Sequence, residues 1–209
     1  MPHLLYDSLK RGMDVVGAAG LLVVLSPVMG AVAVAVLGSM GRPVLYIEDR
    51  CGRAEVPFRI LKFRTMVDRG VGEHELAVDD GRTTRLGAVL RKTSLDELPQ
   101  LVNVLRGEMS LVGPRPLYMR YLDLYSPRQR RRHEARPGLT GWAQIHGRAC
   151  VDWATKFELD LWYIEHRSLA LDAWILARTV GKVIRAEGAV PVVAGAFQGA
   201  EPAEQGPRG

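Results

Sequence analysis

In the stretch TSLDELPQ, residues 93–100, two carboxylates stand side by side, Asp96 and Glu97, and a proline follows at 99. Such a pair can do two different things. Ser94 and Glu97 have the spacing of a capping box, and acids favour the first turn of a helix, so both side chains could serve the backbone alone. Alternatively one of them is a nucleophile: a carboxylate with a pKa of about 4 is ionised at pH 7 and needs no general base. The proline bears on the choice. A helix begun at Ser94 would place Pro99 where its missing N–H costs a bond to Leu95. A helix begun at Pro99, with Gly107 just past its end, avoids that cost. Asp96 and Glu97 then sit immediately before a helix N-terminus, where backbone N–H groups attract anions such as phosphate. On these residues alone both readings stay open.

Cations that could meet such an anion are present. Lys62 and Arg64 continue the alternating face of VPFRILKFRTM, and Arg115 is held between Pro114 and Pro116 in GPRP. A planar guanidinium fork suits phosphate oxygens. Asp160 in KFELD could orient Lys62 or meet a substrate, or could simply pair with Lys156 one helical turn away. Five arginines (128, 130, 131, 132 and 136) crowd YSPRQRRRHEAR. Such a run is normally a solvated face; beside a bilayer it would attract anionic headgroups, worth about 1 kcal/mol per basic residue.

These groups need a scaffold. The chain has 209 residues, enough for one domain with a substantial core. From Val15 to Leu37 no charge occurs, and about 1.5 Å per residue gives roughly 34 Å of helix against a hydrocarbon core of about 30 Å. A signal peptide fits poorly, since its apolar region spans about 7–15 residues and no small-residue cleavage site follows. Ser26-Pro27 interrupts the apolar run, where proline removes a helix bond and the serine hydroxyl can replace it. Basic residues flank both ends, Lys10 and Arg11 before and Arg42 after, so charge bias keeps both ends cytoplasmic. These features agree with a segment that enters the membrane and turns back, while the length of the run also permits a straight span. Residues 43–66 read as strands, 68–82 as a loop, TTRLGAVLRKTS as a short helix with Arg85, Arg91 and Lys92 exposed, and 156–188 as two helices. In the second of these, Leu171, Trp174, Ile175, Val183 and Ile184 can share a face, as in a core helix or a membrane-surface helix. The net charge of +5 favours anionic partners. No zinc spacing, Walker loop or RNA-binding signature appears, so nucleic acid is not expected. Cys51 and Cys150 form no CxxC pattern and fit a reducing setting without disulfides.

Four stretches in order, KFRTM (62–66), KTSLDELPQLVNVLRGEMSLVGPRP (92–116), RPGLTGWAQIHGR (136–148) and KFELDLWY (156–163), together with the apolar start, resemble the bacterial sugar transferase family, small monotopic phosphoglycosyl transferases. The resemblance runs from about Lys10 to Arg185. It implies an α+β fold: a re-entrant membrane helix-break-helix over 1–41, a small mixed helical/strand cytoplasmic catalytic domain with membrane-surface helices over 42–188, and a disordered tail over 189–209. It implies transfer of a phosphosugar from a UDP-sugar to polyprenyl (undecaprenyl) phosphate, releasing UMP, at the bacterial inner membrane with the catalytic domain facing the cytoplasm. This is the initiating membrane step of glycan assembly. By the same resemblance Asp96 is the covalent nucleophile, Glu97 completes the dyad, Mg²⁺ is held by Asp96 and Glu97, and Lys62, Arg64, Arg115, Arg148 and Asp160 meet substrate. An anionic phospholipid surface is a further expected partner, and a homodimer is left open.

The chain departs from the family in places. PVLYIEDRCG stands where the family often has PVFFRQERVG, so Ile47 and Glu48 replace a cation and an amide; His146 replaces the asparagine of QVNGR. Trp142 and Trp153 read as packing residues. Three rival readings exist, the first being a different nucleotide-sugar donor within the same family, which the sequence does not specify. A multi-span transferase that uses no covalent intermediate would need many apolar segments, and this chain has one. An inactive membrane scaffold of the same fold would not require Asp96, Glu97, Lys62 and Arg115 together.

Overall fold

The computed structural model describes residues 2–67, 82–146, 152–185 and 197. Helix α1, Pro2–Met40, is the longest element and contains the apolar run. Its stretch Tyr6–Met40 is long and apolar enough, by length and composition, to cross a membrane. The expected break at Ser26-Pro27 does not end the helix, which runs on through Pro27. The proline N–H that would have bonded the Val23 carbonyl is absent. Ser26 Oγ donates to that same carbonyl at 2.8 Å, so the freed acceptor is satisfied within the helix.

Strands β1 (Leu45–Cys51) and β2 (Pro57–Phe63) form an antiparallel hairpin, as expected for 43–66. Its register sets Tyr46 opposite Lys62, Glu48 opposite Ile60 and Arg50 opposite Phe58. Phe58 and Ile60 are buried and Lys62 follows on their face, because side chains alternate along a strand. Helix α2 (Arg85–Thr93) is capped by the Thr84 side chain, which accepts from Gly87 N–H. Gly87 is needed here, since a Cβ would lie 1.9 Å from the Thr65 carbonyl oxygen. Helix α3 (Gln100–Arg106) follows, then β3 (Ser110–Val112), α4 (Pro127–Arg130), β4 (Gly138–Thr140), α5 (Trp142–His146), α6 (Trp153–His166) and α7 (Leu169–Ile184). Strands β3 and β4 pair in parallel.

The main core joins Ala18 of α1 to Phe58, Ile60, Leu101, Met109 and Ile175. A second cluster packs Val32 and Val36 of α1 on Phe63 and Leu90. Both halves of the long helix therefore rest on the globular part. The N-terminal half is fastened by a buried polar group. Lys10 bonds Asp14 at 2.8 Å and lies 3.3 Å from Asp172, whose oxygens also accept from Tyr6 and Tyr163 at 3.0 and 2.8 Å. Asp14 in turn accepts from Leu111 N–H at 3.0 Å. Arg11 donates to the carbonyls of Val104 and Leu105 at the end of α3, at 2.6 and 2.9 Å.

On α7 the expected shared face is only half covered: Ile175 is buried and Leu171 packs against the core, whereas Trp174 and Val183 are exposed. Phe197, the one described residue of 189–209, packs with Tyr121, Tyr125 and Phe157.

Candidate active site

Helix α2 ends because Ser94 turns into the left-handed region at φ 58°. A tight 3-10 turn, Leu95–Glu97, follows and hands over to α3 through Pro99. The Ser94 side chain makes no capping bond, so the capping-box reading of Ser94 and Glu97 fails. Proline takes the cap position of α3 and Gly107 closes it at φ 86°, as the punctuation of the sequence implied. Both acids are thereby released from service to the backbone.

The turn lies against β2 and the GPRP loop. Glu97 Oε1 accepts from Lys62 Nζ at 3.1 Å and from Arg115 Nη2 at 2.6 Å. Neither donor bonds Asp96, which is 9% exposed. Burial first, and then the charge of Glu97, push the Asp96 carboxyl up to about 6, against the pull of Lys62, Arg115 and Arg91. Burial also opposes the charge of Glu97, yet Arg115 and Lys62 together outweigh it and hold that carboxyl well below its ordinary range. The Lys62 ammonium is lowered by burial, with Glu97 opposing. Two neighbouring carboxylates are thus pushed apart: one is locked as an anion by cations, and the other is left open near neutrality.

Four of the residues singled out in the sequence meet here: Asp96, Glu97, Lys62 and Arg115. The others do not. Arg64 is buried and donates to the carbonyls of Met40 and Arg42, so it grips the end of α1 rather than reaching Glu97. Asp160 is neither the partner of Lys62 nor that of Lys156. It is buried and accepts from Arg132 Nε and Nη2 at 3.1 and 2.7 Å. Arg148 lies outside the described residues. Ser26 and Pro27 sit in α1 as described above.

Several contributors escaped the sequence reading. Arg91, expected on the outside of α2, turns in to Thr65 and Thr83, at 3.1 and 3.2 Å, and helps lower Asp96. Asn103 is fully buried on α3. It accepts from Leu61 N–H at 3.1 Å and donates to the Arg59 carbonyl at 2.7 Å, tying α3 to β2 next to Lys62. Asn103 also donates to the Glu108 carboxylate at 2.7 Å; nothing in the sequence signals the tie to β2, because its partners there are backbone atoms.

The departures are accommodated locally. Glu48 pairs with Arg50, two residues on along the same face, and the Arg50 guanidinium lies 3.6 Å from the Tyr118 ring centre. Ile47 points to the outside. His146 packs at a tilt against Trp142 with ring centres 3.9 Å apart, and Trp142 in turn stacks on Trp162 at 4.2 Å. Trp142 and Trp153 are packing residues, as expected. The arginine run is not a free basic face. Arg128 pairs with Glu158, Arg130 with Glu55, Arg131 with Glu134 and Glu165, and Arg136 donates to the Gly107 carbonyl. Partners distant in sequence supply the acids, which a linear reading cannot see.

Among the described residues no group of three or more His, Cys, Asp or Glu gathers that could hold a metal by itself. Two adjacent carboxylates do fit Mg²⁺, which binds through one or two carboxylates, keeps several waters and shares substrate phosphates. Glu97 Oε1 is occupied by two cations, so Glu97 Oε2 and the Asp96 carboxylate are the oxygens left for such an ion.

Comparison with known proteins identifies the family. The family described as bacterial sugar transferase matches residues 5–186. The uncharacterized sugar transferase EpsL of Bacillus subtilis (strain 168) is 48% identical over 180 residues, covering 86% of this chain and 89% of that protein. The UDP-N-acetylgalactosamine-undecaprenyl-phosphate N-acetylgalactosaminephosphotransferase of Aeromonas hydrophila is 40% identical over 90% of this chain, which spans only 47% of that relative's length. The UDP-glucose:undecaprenyl-phosphate glucose-1-phosphate transferase of Caulobacter vibrioides is 41% identical over 90% of this chain and 74% of its own. The chain belongs to the bacterial sugar transferase family and is thereby a transferase enzyme.

Proposed function

We propose that the protein transfers a phosphosugar from a UDP-sugar to polyprenyl phosphate, giving polyprenyl-diphosphate-sugar and UMP, through a covalent intermediate on Asp96. The observation that carries this reading is the asymmetry of the dyad. Asp96 is held free of hydrogen bonds from Lys62 and Arg115, while Glu97 gathers both cations beside it. The named relatives support the substrate classes: those of Aeromonas and Caulobacter carry a UDP-sugar and undecaprenyl phosphate in their names.

In the first step an Asp96 oxygen attacks the sugar-side phosphorus of the donor. The new bond is an acyl phosphate, and the bond to the bridging oxygen breaks, so UMP leaves with the electron pair. Two anions must approach each other. Lys62 and Arg115 supply the positive field for the donor diphosphate, Lys62 from a largely buried position and Arg115 from a half-exposed one. In the second step a phosphate oxygen of the lipid attacks the same phosphorus and the Asp96 carboxylate departs unchanged. Mg²⁺, when bound by Asp96 and Glu97 with the diphosphate, would neutralise charge on the leaving UMP.

Packing supports the membrane arrangement that belongs to this reading. The globular part contacts α1 through Ala18 and Leu22 on one side and through Met29, Val32 and Val36 on the other. Only residues 23–28 lie between, about 9 Å of helix, far less than the roughly 30 Å of a hydrocarbon core. A straight crossing would drag part of the domain into the bilayer. A re-entrant arrangement, with the continuous helix bent at Pro27, Ser26-Pro27 deepest and both ends cytoplasmic at the inner membrane, would avoid this and bring cytosolic donor and lipid phosphate to one face.

The test is UMP release from a panel of UDP-sugars, including UDP-glucose, UDP-galactose and UDP-N-acetylgalactosamine, with and without undecaprenyl phosphate. Enzyme incubated with the right donor alone gains the mass of a phosphosugar on the peptide carrying Asp96. UMP that appears only with lipid, with no adduct after quenching, removes the covalent step. For the membrane arrangement, cysteines near residues 5 and 200, in a background lacking Cys51 and Cys150, are both labelled from the cytoplasm. Labelling of the first only from outside overturns it.

A further inference from the structure

The GPRP loop carries Arg115 but has little backbone support of its own. On its N-terminal side, Gly113 N–H donates to the Thr140 carbonyl and the Pro114 carbonyl accepts from Gly138 N–H, both at 2.9 Å. On its far side, the Leu117 carbonyl accepts from Cys51 N–H at 3.0 Å. Between these anchors, Pro114 and Pro116 have no N–H to give. The Arg115 carbonyl is held by a side chain instead: Arg132 Nη2 donates to it at 2.8 Å.

Arg132 is unusually constrained for an arginine in a run of arginines. It is 3% exposed, and the protons of Nη2 are shared between the Arg115 carbonyl and Asp160 Oδ2, with Nε donating to the same carboxylate oxygen. Phe157, three residues before Asp160 on α6, places its ring 5.6 Å from the guanidinium carbon. One motif, KFELD, thus supplies both the carboxylate and the aromatic wall around Arg132. A buried guanidinium with this many fixed bonds does not swing. The Arg115 side chain is half-exposed and reaches Glu97 only from the direction its backbone allows.

We infer that Arg132 and Asp160 form a buried clamp that aims Arg115 at Glu97, making both positioning residues for the transfer reaction rather than substrate ligands. This rests on the function proposed above. Asp160 acts from α6 through Arg132 and the Arg115 peptide, and neither clamp residue touches donor or lipid. Charge alone is not sufficient in this role. A lysine at 132 could pair with Asp160, but its single ammonium lacks the rigid fork that holds carboxylate and carbonyl together.

The experiment is a double-mutant cycle on the full chain, read as kcat/KM for UMP release with labelled donor so that large losses stay measurable. Asp160→Asn is expected to lower kcat/KM about 10- to 100-fold in the natural background, and less than about 3-fold once Arg115 is replaced by Lys. Thermal midpoints are recorded alongside, and the shift caused by Asp160→Asn is expected to be the same in both backgrounds. A role confined to fold stability gives equal activity losses with and without Arg115, and that outcome overturns the clamp. Arg132→Lys provides a second arm that does not depend on the folding of Asp160→Asn. It is expected to keep the midpoint within about 5 °C yet lose activity by a similar factor. Natural kcat/KM in a folded Arg132→Lys enzyme also overturns the proposal. Absence of UMP release by the unmodified enzyme with every donor strikes the proposed function instead, so the two failures are distinct.

Discussion

Two clusters in this molecule are built from the same materials and do opposite things. Lys10, Asp14 and Asp172 join α1 to the domain, and Asp172 is 0% exposed with bonds to both carboxylate oxygens from Tyr6 and Tyr163. Lys62, Asp96, Glu97 and Arg115 also combine acids and bases, yet one acid takes the two cations and the other takes neither. In the first cluster each charge is spent on holding elements together. In the second, a carboxylate is kept in reserve. A buried acid with filled oxygens is a fastener, whereas one raised towards neutrality with open oxygens has capacity for chemistry.

The comparison breaks most directly at Asp96. Asp96→Asn preserves shape and removes the nucleophile, so turnover is expected to fall at least about 10³-fold with the fold intact. Removing the cation of the fastening cluster should do the reverse. Lys10→Met leaves Asp14 and Asp172 buried without their counter-ion and is expected to cost about 3 kcal/mol of stability, read by denaturant unfolding in detergent. Activity per folded molecule is retained if the cluster only fastens. A loss of turnover out of proportion to unfolding would merge the two clusters into one.

Stability against pH sharpens the contrast. The Asp96 carboxyl is raised from 3.8 to about 6, so the folded state favours its neutral form. Its stabilising contribution is full below about 3.8 and is lost as pH rises through about 6; at pH 8 the ionised group is a burden. Asp96→Asn is therefore expected to stabilise the protein by about 2 kcal/mol at pH 8 and by nothing measurable at pH 4. The same titration gives turnover a lower limb. Rate should rise with pH through about 6 and level off above it, because the nucleophile must be ionised. Chelation should abolish activity and Mg²⁺ restore it; Glu97→Gln should raise the Mg²⁺ needed. The smallest expected effect is Ser26→Ala, about 1 kcal/mol, from leaving the Val23 carbonyl without its donor.

The reactive cluster was far more legible in the sequence than the clamps around it. Asp96, Glu97, Lys62 and Arg115 stand in compact motifs whose proline and glycine punctuation states the local backbone. The capping-box alternative at Ser94 stays open in the sequence because the pattern Ser-x-x-Glu carries no sign of a left-handed residue. Arg132 was lost in a basic run: five arginines in nine residues look like one solvated face, although four of them pair with acids, Glu158, Asp160 and Glu165 of α6, Glu55 of the β1–β2 turn and the neighbouring Glu134. Arg64 was misassigned for a related reason. Its strand parity matches that of Lys62, but the chain leaves the strand at Phe63, and parity ends with the strand. Asn103 and Asp160 work through backbone atoms and long-range pairs, and no periodicity reports those.

One detail of the α1 end sets a length scale for the whole enzyme. Arg64 holds the Met40 and Arg42 carbonyls, and Lys62 lies only two residues upstream on β2. The last turn of the embedded helix and the reactive corner are therefore parts of one short bracket. With α1 seated in the bilayer as proposed, that bracket behaves like a gauge block. It would hold the proposed acyl phosphate at a constant altitude above the acyl chains, so the acceptor would need no lifting out of its leaflet and only lipids whose phosphate floats at that altitude would be in range.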